Sequence, residues 1–493
     1  MQHGFRLWTL VTLCVLLLLP ALIFAQTDTL DKFIRDGKEA FQKQRYAVAE
    51  RHFKNALTEA EKLGVIDQRK AEIYNGLGLI SIIRGKYEDG GQFLQLALTI
   101  TQKVYGPAHP DVAQCLINLG DLQYTVGDLD QALDRYGEAM EVLEVLLVRR
   151  VVPDTALVIP LGNIAGIYVE RERYDDAIPP LQRAIGIIDQ YQGAPTDLVW
   201  SLKTLGEIYF KQKKIGDADP LLTRALTLAQ QVHGDKSPEL LPILSRLADI
   251  RAATGKTSEA ETLYKQVLAG QFAALSPEEA QNPTDLALAQ TQHNLGVILA
   301  ARKNYTDAIQ HLGKALAIRE AAGGESAETA ATLQALGEIY SAQKEYAVAK
   351  NVLERTLRIR EGKLGRSHRD TGTTLAALAV AEFNLRDVDN AEMHAKRALK
   401  IKEDSLGKDN PELVPILIIL GNAGQTKDRL ADAETQFRRA LAIHEKAVGK
   451  DSPELLPILK SLADSLFKQD RPLDAVDIIQ RMRAIEEKNG LVA

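Results

Sequence analysis

Residues 291–315, TQHNLGVILAARKNYTDAIQHLGKA, carry a spacing of small residues that recurs along the chain. Gly296 is followed by Tyr305 nine positions later, and by Ala308 and Ala315 twelve and nineteen positions later. The first of these columns holds Gly or Ala in all eleven copies, most of them 41 or 42 residues apart. A repeat, rather than a set of separate domains, therefore organises the chain. The first-column residues are Gly37, Gly78, Gly120, Ala165, Gly206, Ala248, Gly296, Gly337, Ala379, Gly421 and Ala463.

Each copy is typical of two amphipathic helices joined by a polar turn. In the copy quoted above, apolar residues follow the helical period over 291–301 and again over 306–320, and the polar residues 302–304 separate them. One such hairpin cannot bury its apolar faces alone, whereas stacked hairpins can. The pattern therefore predicts an all-α chain built as an α-solenoid, in which each hairpin contacts its neighbours.

The connectors between hairpins indicate helix boundaries. Gly106 followed by Pro110 predicts that one helix ends near the Gly and the next begins at the Pro. Three copies hold a second proline four residues after the first. Because a proline inside a helix costs about 3 kcal/mol, we expect the first helix of these copies to begin or to kink at the second proline. These second prolines are Pro242, Pro415 and Pro457.

The small-residue columns resemble those of the tetratricopeptide repeat. The 42-residue form, with YGPAHPDVA at 105–113 followed by NLG at 118–120, is similar to the repeats of kinesin light chains. The resemblance covers residues 31–487 and implies a right-handed α-solenoid of about eleven tetratricopeptide-type helical hairpins. It also implies that the concave groove binds a peptide or protein segment. No heptad stretch precedes the repeats, so a motor-protein function is not implied.

The first residues of the chain have the order of a secretory signal peptide. Residues 1–25 contain Arg6, a long apolar stretch, and Ala25 before polar residues. We predict cleavage after Ala25. This leaves residues 26–487 as a continuous repeat solenoid and residues 488–493 as a short C-terminal tail.

Two alternatives to cleavage are compatible with this segment. Residues 7–25 are long enough to remain as an uncleaved membrane anchor. Lipidation of Cys14 is the least favoured alternative, because this residue follows Leu13 rather than a small residue. A cleaved signal or an anchor would each place the repeats outside the cytoplasm, either periplasmic or secreted.

Composition and charge narrow the function classes. The chain is 45% hydrophobic and 26% charged, which is typical of a folded soluble protein. Sixty basic residues against 66 acidic ones, without a Lys- or Arg-rich run, disfavour nucleic acid as a partner. One of the two cysteines is Cys14, so the mature chain is expected to form no internal disulfide.

The sequence lacks the motifs of known enzymatic sites. GKT at 255–257 matches the end of a phosphate-binding loop, but Ile250 occupies the position where that motif requires Gly. The nine histidines include no pair at metal-ligand spacing on one helix face, and no Gly-x-Ser-x-Gly occurs. We therefore predict a non-enzymatic protein with no catalytic residue, no metal and no cofactor.

The first helices supply the candidate binding residues. Counted from the small-residue column, positions −6, −2, +1 and +5 share one stripe away from the core at about 100° per residue. The resemblance implies that this stripe faces the groove, where Asn side chains could pair with a peptide backbone. The candidate residues are Asn118, Asp121, Asn163, Glu170, Trp200, Glu207, Lys211, Asp249, Asn294, Glu338, Asn384 and Asn422.

Position +1 is often acidic. A groove with these carboxylates, partly offset by Lys211 and Arg246, is expected to prefer a basic or mixed-charge partner segment. Two alternatives stay open: an inner face kept polar only for solubility, and an architectural subunit that associates through its convex face or ends with itself or a membrane complex. Direct membrane contact is expected only through an uncleaved N-terminal segment. The acidic residues are Asp121, Glu207, Asp249, Glu338 and Asp464.

Overall fold

The computed structural model describes residues 28–191, 194–281 and 283–491, and within them all regular structure is helical. The predicted signal peptide at 1–25 lies outside these residues. The chain divides into two compact units, the first ending at Asp235 and the second beginning at Lys236. Each unit consists of helical hairpins that follow one another in chain order.

The N-terminal unit contains five hairpins, formed by successive pairs of ten helices. We number the hairpins 1–5 in chain order, so that hairpin 4 is α7–α8 and hairpin 5 is α9–α10. The helices are α1 (28–42), α2 (Tyr46–Lys62), α3 (Gln68–Ile83), α4 (Tyr87–Tyr105), α5 (Pro110–Thr125), α6 (Leu129–Val148), α7 (Val158–Glu170), α8 (Tyr174–Tyr191), α9 (Pro195–Lys211) and α10 (Ile215–His233).

The C-terminal unit contains hairpins 6–11 and one short extra helix, α13, after hairpin 6. The prediction of an all-α solenoid of about eleven hairpins is thereby confirmed. Its helices are α11 (Leu241–Ala253), α12 (Thr257–Ala274), α13 (Pro277–Gln281), α14 (Leu286–Ala301), α15 (Tyr305–Gly323), α16 (Ala327–Ala342), α17 (Tyr346–Lys363), α18 (Arg369–Asn384), α19 (Val388–Leu406), α20 (Val414–Thr426), α21 (Leu430–Val448), α22 (Leu456–Lys468) and α23 (Pro472–Lys488).

The small-residue column is the point of closest approach within a hairpin. A Cβ atom added to Gly296 would lie 2.6 Å from Cγ of Leu312, which is sixteen positions later on the second helix. A Cβ at Gly120 would lie 2.5 Å from the ring of Tyr136. Both distances are far below a normal carbon–carbon contact of about 3.5–4.0 Å. At Gly296 and Gly120, a larger residue would therefore displace the side chain opposite, whereas hairpins 4 and 6 accommodate Ala165 opposite Leu181 and Ala248 opposite Tyr264.

The turn inside each hairpin has one backbone conformation. The residue at position +7 has a positive φ in every hairpin, and in eight of the eleven it is not Gly. In hairpin 7, the N–H of Asn304 donates to the carbonyl of Leu299 at 2.9 Å, and that of Lys303 donates to Ala300 at 2.8 Å. This pair of bonds is a Schellman motif, which ends a helix with a left-handed residue. The residues are Gln44, Gly85, Gly127, Glu172, Lys213, Gly255, Lys303, Lys344, Arg386, Asp428 and Asp470.

The expectation about the paired prolines is confirmed. Pro238 begins a short 3₁₀ turn that ends at Leu240, and α11 starts at Leu241 with Pro242 in its first turn. The missing N–H of Pro242 costs nothing there, because the first N–H groups of a helix have no partner within the helix. Hairpins 10 and 11 begin in the same way, with Pro415 and Pro457 near the start of α20 and α22.

Ion pairs between second helices join neighbouring hairpins. An Arg at position +18 meets the acidic residue at position +24 of the hairpin before it, as in Arg439 with Glu403 at 2.6 Å. The same Arg439 donates to the carbonyl of Lys408 in the connector at 2.9 Å. This column was not among the features predicted from the sequence. The other pairs are Arg183–Glu144, Arg224–Asp189, Arg355–Glu320, Arg397–Glu361 and Arg481–Glu445.

Hairpin 8 offers a direct test of the packing rule. A Cβ at Gly337 would lie 2.7 Å from Leu353, so Gly337→Ala should destabilise the unit by about 1–3 kcal/mol. Leu353→Ala should cost about 2–5 kcal/mol through the cavity it leaves. The double variant should lose less stability than the sum of the two single losses, because the new methyl group enters that cavity. Hairpin 9 already has this combination, with Ala379 opposite Ala395. Unfolding curves of the four proteins measure this, and strictly additive losses would contradict the rule.

Candidate binding surface

One pocket in the N-terminal unit collects several of the predicted groove residues. Asp121 from α5, Asn163 from α7 and Trp200 from α9 line a cavity of about 550 Å³. These three helices are the first helices of hairpins 3, 4 and 5, so the pocket crosses successive repeats. The predicted residues Asn118, Glu170, Glu207 and Lys211 belong to the same helices but do not line this pocket.

The walls of the pocket are apolar and accessible. Ile159, Trp200 and Tyr124 are 58%, 37% and 47% exposed, respectively. Between them the lining backbone carries Gly162 and Gly166, which have no side chains. Ile159 was not among the predicted residues, although it occupies position −6, as Trp200 does in the next hairpin. A search for large apolar residues recurring at that position would have found it.

Asp121 is held by two neighbouring side chains. Its Oδ1 accepts a hydrogen bond from the hydroxyl of Tyr136 at 2.7 Å and one from Nδ2 of Asn163 at 3.1 Å. Burial of the carboxyl raises the pKa of Asp121, and the hydrogen bond from Tyr136 opposes that rise. The Asn163 bond crosses from hairpin 4 to hairpin 3. Asn163 therefore both lines the pocket and joins the inner faces of the two hairpins.

The same arrangement recurs in the C-terminal unit. Asp249 accepts from the hydroxyl of Tyr264 at 2.6 Å and from Nδ2 of Asn294 at 3.2 Å, and Arg246 pairs with its other oxygen at 2.7 Å. Burial raises the pKa of Asp249, and these partners oppose the rise. A Tyr at position +16 together with an Asp at position +1 is the sequence signal of this network. It occurs in hairpins 3 and 6.

The expectation of an Asn row open to a peptide backbone is corrected. Asn118 accepts from Gln114 at 2.9 Å and donates to Asn75 of the preceding hairpin at 2.8 Å. Asn294 accepts from Gln290 at 2.6 Å in addition to donating to Asp249. The inner-face side chains of neighbouring hairpins lie within hydrogen-bond distance, so these amides already bond to another amide or to a carboxylate.

The remaining predicted residues are dispersed. Lys211 donates to the hydroxyl of Tyr174 at 2.9 Å and lies over its ring. A hydrogen bond to Glu170 raises the pKa of Tyr124. Glu338 accepts from a neighbouring Gln at 2.8 Å, whereas Asn384 donates to the backbone of its own helix. Glu207 and Asn422 are partly exposed on α9 and α20, and neither lines the Trp200 pocket. Of the twelve residues, Asp121, Asn163 and Trp200 line the Trp200 pocket and the other nine do not.

A second pocket of about 370 Å³ lies among hairpins 1–3. Its lining includes Phe41, Leu79 and the buried thiol of Cys115, and its rim holds Glu72 paired with Lys38 at 2.6 Å. Burial raises the pKa of Cys115 to about 11, so the thiol is protonated near neutral pH. This pocket contains one of the hairpin-forming core residues, Phe53, and none of the twelve predicted groove residues, which makes it a weaker candidate than the pocket at Trp200.

Two kinds of site are absent from the described part of the chain. Among residues 28–191, 194–281 and 283–491, no three His, Cys, Asp or Glu side chains are placed to hold a metal ion. In these same ranges, no helix combines the length and the apolar character that crossing a membrane requires.

Stacked hairpins with a pocket across successive repeats define a repeat protein of the interaction class. The family model of the tetratricopeptide repeat matches residues 69–145, 154–229, 197–271, 287–362 and 370–446, which is more than half of the chain. The chain belongs to the tetratricopeptide repeat family and is a protein–protein interaction scaffold. The resemblance to the tetratricopeptide repeat is thereby confirmed.

Individual similar proteins cover different parts of the chain. A clustered mitochondria protein homolog from Anopheles gambiae is 36% identical over 98 residues, which is 18% of this chain and only 7% of that relative. The apo form of RapI matches with a TM-score of 0.52 at 16% identity, over 78% of this chain and all of that structure. A Podosopora anserina protein with kinesin light chain-type repeats matches 42% of this chain and 98% of its own, with 20% identity and a TM-score of 0.36.

Asp121 predicts a defined pH dependence of stability. The pKa of Asp121 is raised in the folded state, so deprotonation of this carboxyl disfavours folding. The wild type should therefore lose stability relative to Asp121→Asn as pH rises from about 4, the usual pKa of Asp, through the raised pKa of the folded state. Tyr136→Phe removes the bond that lowers this pKa and should extend the loss to higher pH. Unfolding midpoints measured between mildly acidic and neutral pH check this. A constant difference between wild type and Asp121→Asn over that range would contradict it.

Proposed function

We propose that the protein binds an extended segment of a protein partner in the Trp200 pocket, and that it does so outside the cytoplasm. The pocket itself is the observation that supports binding of a partner segment. Three accessible apolar side chains, Ile159, Trp200 and Tyr124, converge there from three successive first helices. Concave, mostly apolar pockets with a few polar groups are the usual form of binding sites.

The geometry favours a segment over a globular surface. The pocket walls come from α5, α7 and α9, which repeat side by side, so a chain laid across them would meet equivalent positions in turn. Exposed aromatic side chains in such a pocket are the usual source of binding energy, and Trp and Tyr are enriched among residues that dominate interfaces. Trp200 is therefore the residue expected to contribute most.

The charges near the pocket favour a basic or mixed-charge segment. Asp121 and Asp197 line the pocket, and Glu207 lies further along α9. In the C-terminal unit, Asp249 is already paired with Arg246, which supports assigning the site to the N-terminal unit. Exposed ion pairs contribute only about 0–1 kcal/mol each, so charge should act mainly on association rate and salt dependence.

Recovery of partners with pocket variants tests this function. Trp200→Ala and Ile159→Asp should each remove the partner that the full-length wild type retains, and raising ionic strength should weaken the wild-type interaction. Val145→Asp is a matched control, because Val145 is 42% exposed on α6 and does not line the pocket. Quantitative mass spectrometry of co-purified proteins gives the readout. Equal recovery by all four proteins would contradict the groove proposal and favour the convex-face alternative.

The location outside the cytoplasm rests on residues 1–25 alone. N-terminal sequencing of the protein recovered from its native cell should begin at Gln26 if the signal is cleaved. Recovery of the intact N-terminus in the membrane fraction would instead support the anchor formed by residues 7–25. An intact, soluble cytoplasmic protein would contradict both.

A further inference from the structure

Helix α7 carries two glycines that hairpin packing does not require. A Cβ at Gly120 or Gly206 would lie 2.5 or 2.7 Å from a side chain of the second helix. In contrast, a Cβ at Gly162 would meet only the Trp200 ring, at an ordinary 3.6 Å, and one at Gly166 would meet nothing within 4 Å. Alanine would therefore fit at both positions without displacing a neighbour.

The backbone does not require glycine there either. Gly162 and Gly166 lie inside α7, and neither has a positive φ. A glycine inside a helix costs about 0.5–1 kcal/mol relative to alanine. The equivalent positions of α5 hold Ile117 and Asp121. Hairpin 4 thus gives up stability at these two positions, and both of them line the Trp200 pocket.

Absent side chains at these positions create the open space of the pocket. Gly166 lines the pocket, and a Cβ added there would have no neighbouring atom within 4 Å. Glycine commonly occurs where a ligand must approach a backbone closely. The helix backbone of α7 is therefore the floor of the pocket, and Ile159 and Trp200 are two of its walls.

We propose that Gly162 and Gly166 determine specificity by admitting a bulky apolar side chain of the partner, such as Leu, Phe or Trp, against the backbone of α7. This inference rests on the proposed function of the pocket. Because Asp197 lies at the same pocket, the favoured segment places a Lys or Arg next to that bulky residue. The partner is thereby defined by chemistry: an extended segment with one large apolar anchor and an adjacent cation.

A phage-displayed library of random peptides, selected on the full-length chain, provides the probe. Selected peptides should be enriched in a large apolar residue beside Lys or Arg. Gly166→Leu should weaken their binding roughly tenfold or more by filling the pocket. Gly166→Ala should weaken binding by a smaller factor and yet raise the unfolding midpoint, because alanine favours the helix. A gain in stability together with a loss of binding is not expected of a glycine that serves only the fold.

Matched variants separate failure of this inference from failure of the proposed function. Gly186 lies in α8, where a Cβ would meet nothing within 4 Å, and it does not line the pocket. Gly186→Ala should raise stability without changing binding. If Trp200→Ala abolishes peptide binding but Gly166→Leu and Gly166→Ala do not change it, the inference is wrong and the proposed function stands. If selected peptides bind the Trp200→Ala chain as they bind the wild type, both are wrong.

Discussion

The whole structure depends on the contact between the small residue of a first helix and the side chain sixteen positions later on the second helix. A Cβ atom added at Gly421 would lie only 2.5 Å from the ring of Phe437, so no larger residue fits there. Close approach brings the two helices together, and the remaining apolar faces then require a neighbouring hairpin. In hairpin 9, these two positions hold Ala379 and Ala395. Two small side chains therefore form the contact that other hairpins form with a glycine and a large side chain.

A second set of interactions joins one hairpin to the next. Arg360 is 7% exposed and donates to the carbonyl of Asp370 and to the hydroxyl of Thr374, both at 2.8 Å, at the start of the following first helix. Burial lowers the pKa of Arg360, and these acceptors compensate for the water it has lost. Together with the Arg439–Glu403 type of ion pair, such bonds connect successive repeats beside the apolar contacts of the core.

Function is best sought where one repeat departs from the others. Tyr136 and Tyr264 replace the usual apolar residue at position +16 and donate hydrogen bonds to the carboxylates of Asp121 and Asp249. Gly162 and Gly166 differ in another way: they lack side chains at positions where the packing would accommodate one. The first departure stabilises the inner face, whereas the second opens a pocket in it. Both are visible only by comparison with equivalent positions in neighbouring hairpins.

The sequence by itself determined the repeat, the number of hairpins and the approximate position of their helices, because periodicity, turn residues and Pro242-type signals act over a few residues. The structure adds the short helix α13 and extends the helices of hairpin 7 from the expected 291–301 and 306–320 to Leu286–Ala301 and Tyr305–Gly323. It also brought Asp121, Asn163 and Trp200 into the candidate set, since they share one helical stripe. Only the tertiary structure decided that Asn163 is already bonded to Asp121 and that Ile159 joins Trp200 around one cavity. Those relations connect residues about one repeat apart, and the distances between them depend on how each hairpin stacks on the next.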